Sequence, residues 1–247
     1  MRSFDYIESG KTLLTPHTTS LLAAIHEAKG RQSIQTTIRP DILGTLVAVA
    51  RIQSTDASNR IEGISTSDSR LNDLVSEKVT PRNRNEEEIA GYRDALSVIH
   101  ESHDYIPITP NVILQLHRDL FRHTPLTFAG HFKDSDNVII ERDAHGTSTV
   151  RFAPPSALVT PELIERACSA YTQAIRDGHT DPLLAIAMFI LDFTCIHPFN
   201  DGNGRMSRLL TLLMLCRNGY MVGKYISIEH LIEQSKRTYY EAMTAST

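Results

Sequence analysis

The residue pattern predicts a mainly α-helical protein with one β-hairpin and an N-terminal helical extension. Three observations carry that reading. Apolar residues recur at helical spacing along most of the chain, proline-marked helix starts repeat, and strand-like patterning occurs in one place only. With 247 residues, 41% of them hydrophobic, the chain can bury a full core.

Taken in order, the periodicity places helices at 18–29, 41–61, 67–78 and 84–103. The charged run "RNRNEEE" from Arg82 to Glu88 reads as a solvated loop and helix start, and as a boundary between an N-terminal part and a core. Further helices follow at 110–122, 160–177, 181–195, 202–218 and 227–244. Thr109-Pro110, Thr160-Pro161 and Asp181-Pro182 each set a capping side chain before a proline suited to a first helical turn. "NVII" and "TVRF" flank "ERDAHGTS", a hairpin from Asn137 to Phe152 that Ala153-Pro154-Pro155 stops. His131 and His145 lie near it without a catalytic pattern of their own.

The totals exclude several classes. A net charge of -4 gives no general reason to bind nucleic acid or an anionic membrane, so any phosphate site must be local. Cys168, Cys195 and Cys216 sit in apolar helical surroundings at no metal-like spacing, which fits reduced thiols in a cytoplasmic protein. The start "MRSFDYIESG" lacks a signal h-region, and the longest apolar run, Leu183 to Leu191, is too short to span a bilayer.

The chemistry concentrates in "IHPFNDGNGRMSRLL", Ile196 to Leu210. Asn200 or Asp201 is placed to cap a helix beginning at Gly202. The first amides of a helix lack intrahelical partners, and Gly202 and Gly204 let a ligand approach the backbone. That is an anion site. Arg205 and Arg208 share a helix face, and two arginines with free amides suit a di- or triphosphate. Asp201 is either a cap or, beside a polyphosphate, a Mg²⁺ ligand. His197 precedes the loop, where a neutral imidazole can take a proton from an attacking hydroxyl. Phe199 pins the loop to the core.

"HPFNDGNGRMSR" resembles the signature of the Fic family, His-x-Phe-x-(Asp/Glu)-Gly-Asn-Gly-Arg-x-x-Arg, at every specified position. The resemblance covers roughly 105–245 and implies a Fic-like core at 105–247 behind an N-terminal helical region, 1–104. It implies transfer of AMP from ATP to a Ser, Thr or Tyr hydroxyl of a target protein, with Mg²⁺ or Mn²⁺. His197 would be the base and Asp201 the metal ligand. Gly202, Asn203, Gly204 and Arg205 would bind phosphates, and Arg208 the γ-phosphate. The hairpin resembles the family's target-docking flap, through Asn137, Val138, Ile139 and Ile140. Tyr239 and Tyr240 resemble a pair that lines the nucleoside pocket.

Upstream, "SNRIEG" matches the family's inhibitory pattern (Ser/Thr)-x-x-x-Glu-(Gly/Asn), with Ser58, Glu62 and Gly63. The resemblance implies that Glu62 pairs with Arg208 and blocks the γ-phosphate. Other readings stay open at this point: transfer of phosphate or another nucleotide, removal of AMP assisted by Glu62, or a nucleotide-sensing binding module. Self-modification and homodimer formation are left open, as is continuation beyond Thr247 into a further domain.

Overall fold

A computed structural model describes the backbone of residues 4–38, 40–142 and 148–246, with side chains outside 33–41, 139–149 and 151. Helices α1 (Tyr6–Leu13), α2 (Pro16–Ile38), α3 (Pro40–Ile61) and α4 (Asp68–Val75) precede α5 (Arg84–Ser102) and α6 (Pro110–Leu120). Strands β1 (Ile139–Arg142) and β2 (Ser148–Phe152) come next. They are followed by α7 (Thr160–Asp177), α8 (Pro182–Ile196), α9 (Asn203–Arg217), α10 (Val222–Tyr225), α11 (Ile228–Gln234) and α12 (Lys236–Ala245).

The core is built around α8 and α9. Phe189, Phe193 and Ile196 of α8, Phe199 of the loop, and Met206, Leu209, Leu210 and Leu213 of α9 are buried together. Helix α5 adds Tyr92, Leu96 and Ile99 to the same cluster, and α6 adds Ile113, Leu116 and Leu120. Burial of that apolar surface is the main force positioning the loop between α8 and α9. Tyr6 of α1 reaches the same core and donates to Asp192 Oδ2 at 2.8 Å. Among the described residues, no helix is long and apolar enough to cross a membrane.

Strands β1 and β2 pair antiparallel, with Ile140 opposite Val150 and a register shift between Ile139 and Ile140. Their connection, 143–147, with His145, lies outside the described residues.

Several expectations need correction. Helix α1 was not foreseen; Asp5 caps it by accepting from Glu8 N at 3.0 Å. Helix α2 runs well past residue 29. The stretch 227–244 is two helices that break at Ser235, with Ser227 capping the first through His230 N. Thr109 and Asp181 cap as expected, but Thr160 is itself helical and its hydroxyl donates to Ser156 O. Neither Asn200 nor Asp201 caps α9: the cap position is Gly202, in left-handed conformation at φ 81°. The run 82–88 is only partly solvated, since Glu86 and Glu88 are buried. Glu86 is held by Arg70 at 2.6 Å, which with its other hydrogen bonds drops its pKa to about 2.

Candidate active site

The loop 197–202 joins two buried helices and is held on several sides. His197 ends α8 in left-handed conformation, φ 50° and ψ 61°, unusual for a residue with a side chain. Phe199 is fully buried and stacks on His117 of α6, ring centroids 3.7 Å apart. The Asn203 side chain turns back on the loop, accepting from Phe199 N at 3.0 Å and donating to Phe199 O at 2.8 Å. Asn203 therefore braces the motif with its amide.

His117 was not singled out in the sequence. Gly130 N donates to its Nδ1 at 2.9 Å, so its Nε2 carries the proton and donates to Asp201 O at 3.1 Å. Burial pushes its pKa down to about 4, keeping the ring neutral and the tautomer fixed. The sequence signal was a histidine on the apolar stripe of an amphipathic helix, which more often means a packed side chain than a loop anchor.

His197 is half-buried, and burial lowers its pKa, with the Lys133 ammonium adding to the effect; the Thr194 backbone and the Glu62 carboxylate oppose it. A neutral imidazole at physiological pH is the form a general base requires. Asp201 is about half exposed at the loop's mouth. Its Oδ1 accepts from Gly202 N at 2.6 Å, and Arg84 Nη2 lies 3.7 Å from Oδ2. One accessible carboxylate fits the demand of Mg²⁺, which takes one or two carboxylates and completes its shell with phosphate oxygens and water.

The two arginines diverge, contrary to the expectation that both reach one anion. Arg205 is 1% exposed and lies over the Phe121 ring. Its Nη1 is 2.7 Å from Glu88 Oε2, an ion pair by distance without hydrogen-bond alignment. Glu88 also accepts from Arg84 Nε at 2.8 Å. Its sequence signal was a carboxylate in phase with Tyr92, Leu96 and Ile99 on the buried face of α5.

Arg208 faces α3 instead. Its Nε donates to Ser58 Oγ at 2.8 Å, and its Nη2 to Ser58 O at 2.9 Å and Glu62 Oε1 at 2.7 Å. Glu62 reaches it because α3 ends in a Schellman turn. Gly63 N donates to Arg60 O and Ile64 N to Asn59 O, with Gly63 at φ 80°, a conformation that favours glycine. Glu62 Oε1 also rests against Gly204, leaving no room there for a Cβ. The end of α3 is tied to the C-terminal helices by Arg60 to Glu233 at 3.1 Å and by Lys236 Nζ to Ile61 O at 3.1 Å.

Tyr239 and Tyr240 meet edge to face, 5.5 Å apart, on α12. Tyr239 lines a groove of about 540 Å³ with Met188, Leu191 and Met243. Val138 is exposed. Ile139 and Ile140 lie in β1, and their side chains are outside the described residues. The Asn137 side chain turns inward, donating to Phe199 O at 3.2 Å.

A family model described as Fic/DOC matches residues 107–215. That stretch is similar to the Fic/DOC family domain. A Fido domain-containing protein of Dictyostelium discoideum is 37% identical over 90 residues, 35% of this chain and 58% of that protein. A protein adenylyltransferase, fic-1, of Caenorhabditis elegans is 28% identical over 145 residues, 56% of this chain and 25% of that one. The chain thus spans less than two thirds of these relatives. The crystal structure of a Fic domain containing signaling protein from Bacteroides thetaiotaomicron superposes with a TM-score of 0.73 at 23% identity. That match covers 90% of this chain and 80% of that one, and places the Fic fold on this chain.

Proposed function

We propose that this protein is an adenylyltransferase that moves AMP from ATP to a hydroxyl of a target protein, and that Glu62 holds it inactive. One observation carries the reading: His197, Asp201, the N-terminus of α9 and Arg208 converge on one loop, with a carboxylate from α3 seated against Arg208 and Gly204. That carboxylate occupies the position an anion bound there would take.

The reaction is an in-line displacement at the α-phosphorus. The hydroxyl oxygen forms the new P–O bond, His197 takes its proton, and pyrophosphate leaves. Asp201 would hold Mg²⁺, which when bound neutralises charge on the phosphates. The α9 amides receive phosphate oxygens. Arg208, once released by Glu62, grips the γ-phosphate and turns the α-phosphorus into line. Arg205, locked to Glu88, supports Asp201 from within at 3.9 Å. The single-sided pairing of β1 leaves a strand edge on which a target segment can add by main-chain hydrogen bonds. Tyr239 and Tyr240 offer aromatic faces to the adenine.

The test is intact mass after incubation with Mg·ATP, for the protein and for candidate targets. A gain of one AMP supports the reading, and a gain of one phosphate, or none in the Glu62→Gly form, overturns it. His197→Ala should keep ATP binding by calorimetry while transfer falls by about 10²–10⁴. Equal loss of both would make His197 structural.

A further inference from the structure

We propose that Lys133 and Asn137 form a clamp that positions His197 and ties its conformation to the hairpin. The inference rests on the reading of His197 as the base.

A histidine in the left-handed region persists only where its surroundings over-determine it. Here the surroundings are two side chains just before β1. Lys133 is 3% exposed. Its Nζ donates to Ile196 O at 3.2 Å and to Asn137 Oδ1 at 2.9 Å, and its main-chain N to Pro198 O at 2.8 Å. Asn137 Nδ2 donates to Phe199 O at 3.2 Å, with a longer 3.5 Å approach to His197 O. The carbonyls of 196, 197, 198 and 199 are thus all received by this pair.

A buried ammonium is costly, and the hydrogen-bond acceptors of Lys133 are neutral. A loop could be anchored more cheaply by an amide or a hydroxyl. A cation adds a field at the imidazole that disfavours its protonation. Two charged groups act on His197: Lys133, which lowers its pKa, and Glu62 from the end of α3, which raises it; Asp136 acts in turn on Lys133. Asn137 precedes β1 by two residues, so a shift of that strand by a docked segment is passed through one amide to the carbonyls flanking the base. Lys133 and Asn137 are positioning residues, acting through His197.

The experiment is NMR of the full chain, labelled at histidine, in the wild type, Lys133→Met, Lys133→Arg and Asn137→Ala. The His197 ring is titrated, and its Cα shift is read as a report on the left-handed backbone. Lys133→Met should raise the His197 pKa and move the Cα shift; Lys133→Arg should restore both towards wild type. Asn137→Ala should move the Cα shift. ATP affinity by calorimetry should stay unchanged in all three. Transfer by the Glu62→Gly form should fall about 10- to 100-fold when either change is added, as misplacement of a base predicts. Loss of thermal stability with an unmoved His197 titration and Cα shift would overturn the clamp, and Asn137→Ala alone decides this if Lys133→Met does not fold. A clamp that responds as described, in a protein whose His197→Ala form still transfers AMP, would instead overturn the assignment of the base.

Discussion

Two arginines three residues apart on α9 each meet a glutamate, and the two pairs differ in where the glutamate stands. Arg205 and Glu88 are 1% and 4% exposed, closed in by α5, α9 and the Phe121 ring. Arg208 is equally buried at 4%, but Glu62 is 33% exposed and stands at the end of a helix. Water already reaches one partner of the second pair and neither partner of the first. Separating Arg205 from Glu88 leaves an arginine in the core with only the 3.9 Å approach of Asp201 to offset its charge, whereas separating Arg208 from Glu62 releases a partly exposed carboxylate towards water. The first pair belongs to the frame, and the second is the one proposed to open.

The largest expected effect breaks the frame. Glu88→Ala should destabilise the protein by about 3–5 kcal/mol, because Arg205 is left buried with only the carboxylate of Asp201, 3.9 Å away, to offset its charge. Chemical denaturation checks this; a variant of unchanged stability would mean that Arg205 relaxes as freely as Arg208, and the contrast would vanish.

Acid probes the same frame. His117 anchors the Asp201 carbonyl, and His100 is also buried; burial takes both to about 4 from an ordinary 6.5. Above 6.5 both are neutral, folded or unfolded. Between 6.5 and 4 the unfolded chain binds the extra protons, so stability falls with falling pH through that window. The loss is at most about 3 kcal/mol for each ring. A melting series from pH 8 to 4 checks it, and a flat profile would remove His117 from the frame.

The smallest energy belongs to the pair proposed to hold the enzyme inactive. Glu62→Gly gives up a charge-assisted bond contributing about 1.5–3 kcal/mol, and should raise AMP transfer about 10- to 100-fold while lowering stability by no more than that bond contributes. Adding Arg208→Ala should abolish the gain. Labelled-ATP transfer measures both; an unchanged or lower rate in Glu62→Gly would make Glu62 another frame residue.

What could be read in the sequence followed from locality. The helices that carry the site announced themselves through Thr109-Pro110, Asp181-Pro182 and periodic apolar residues, because caps and amphipathic faces are written within a few positions. The contact of Glu62 with Arg208 was expected through a resemblance in two short motifs, while the bonds from Arg208 to Ser58 were not; spacing alone does not bring residues nearly 150 apart together. What was missed depends on partners distant in sequence. Arg205 was placed with Arg208 because both share a helix face, but Glu88, from the preceding part of the chain, claims it. Lys133 and His117 look like ordinary residues until the loop 196–201 lies on them. The break at Ser235 hid within continuous helical spacing.

The backbone at His197 has one more consequence. At φ 50° a side chain crowds its own carbonyl, and glycine would sit there with no such crowding. On the proposed role of His197, the residue that chemistry needs is one that the local geometry does not favour. An engineer selecting only for heat resistance would be drawn towards glycine at 197 and, on the proposed mechanism, would collect sturdier, inert proteins. On that mechanism, position 197 is where durability and turnover pull in opposite directions.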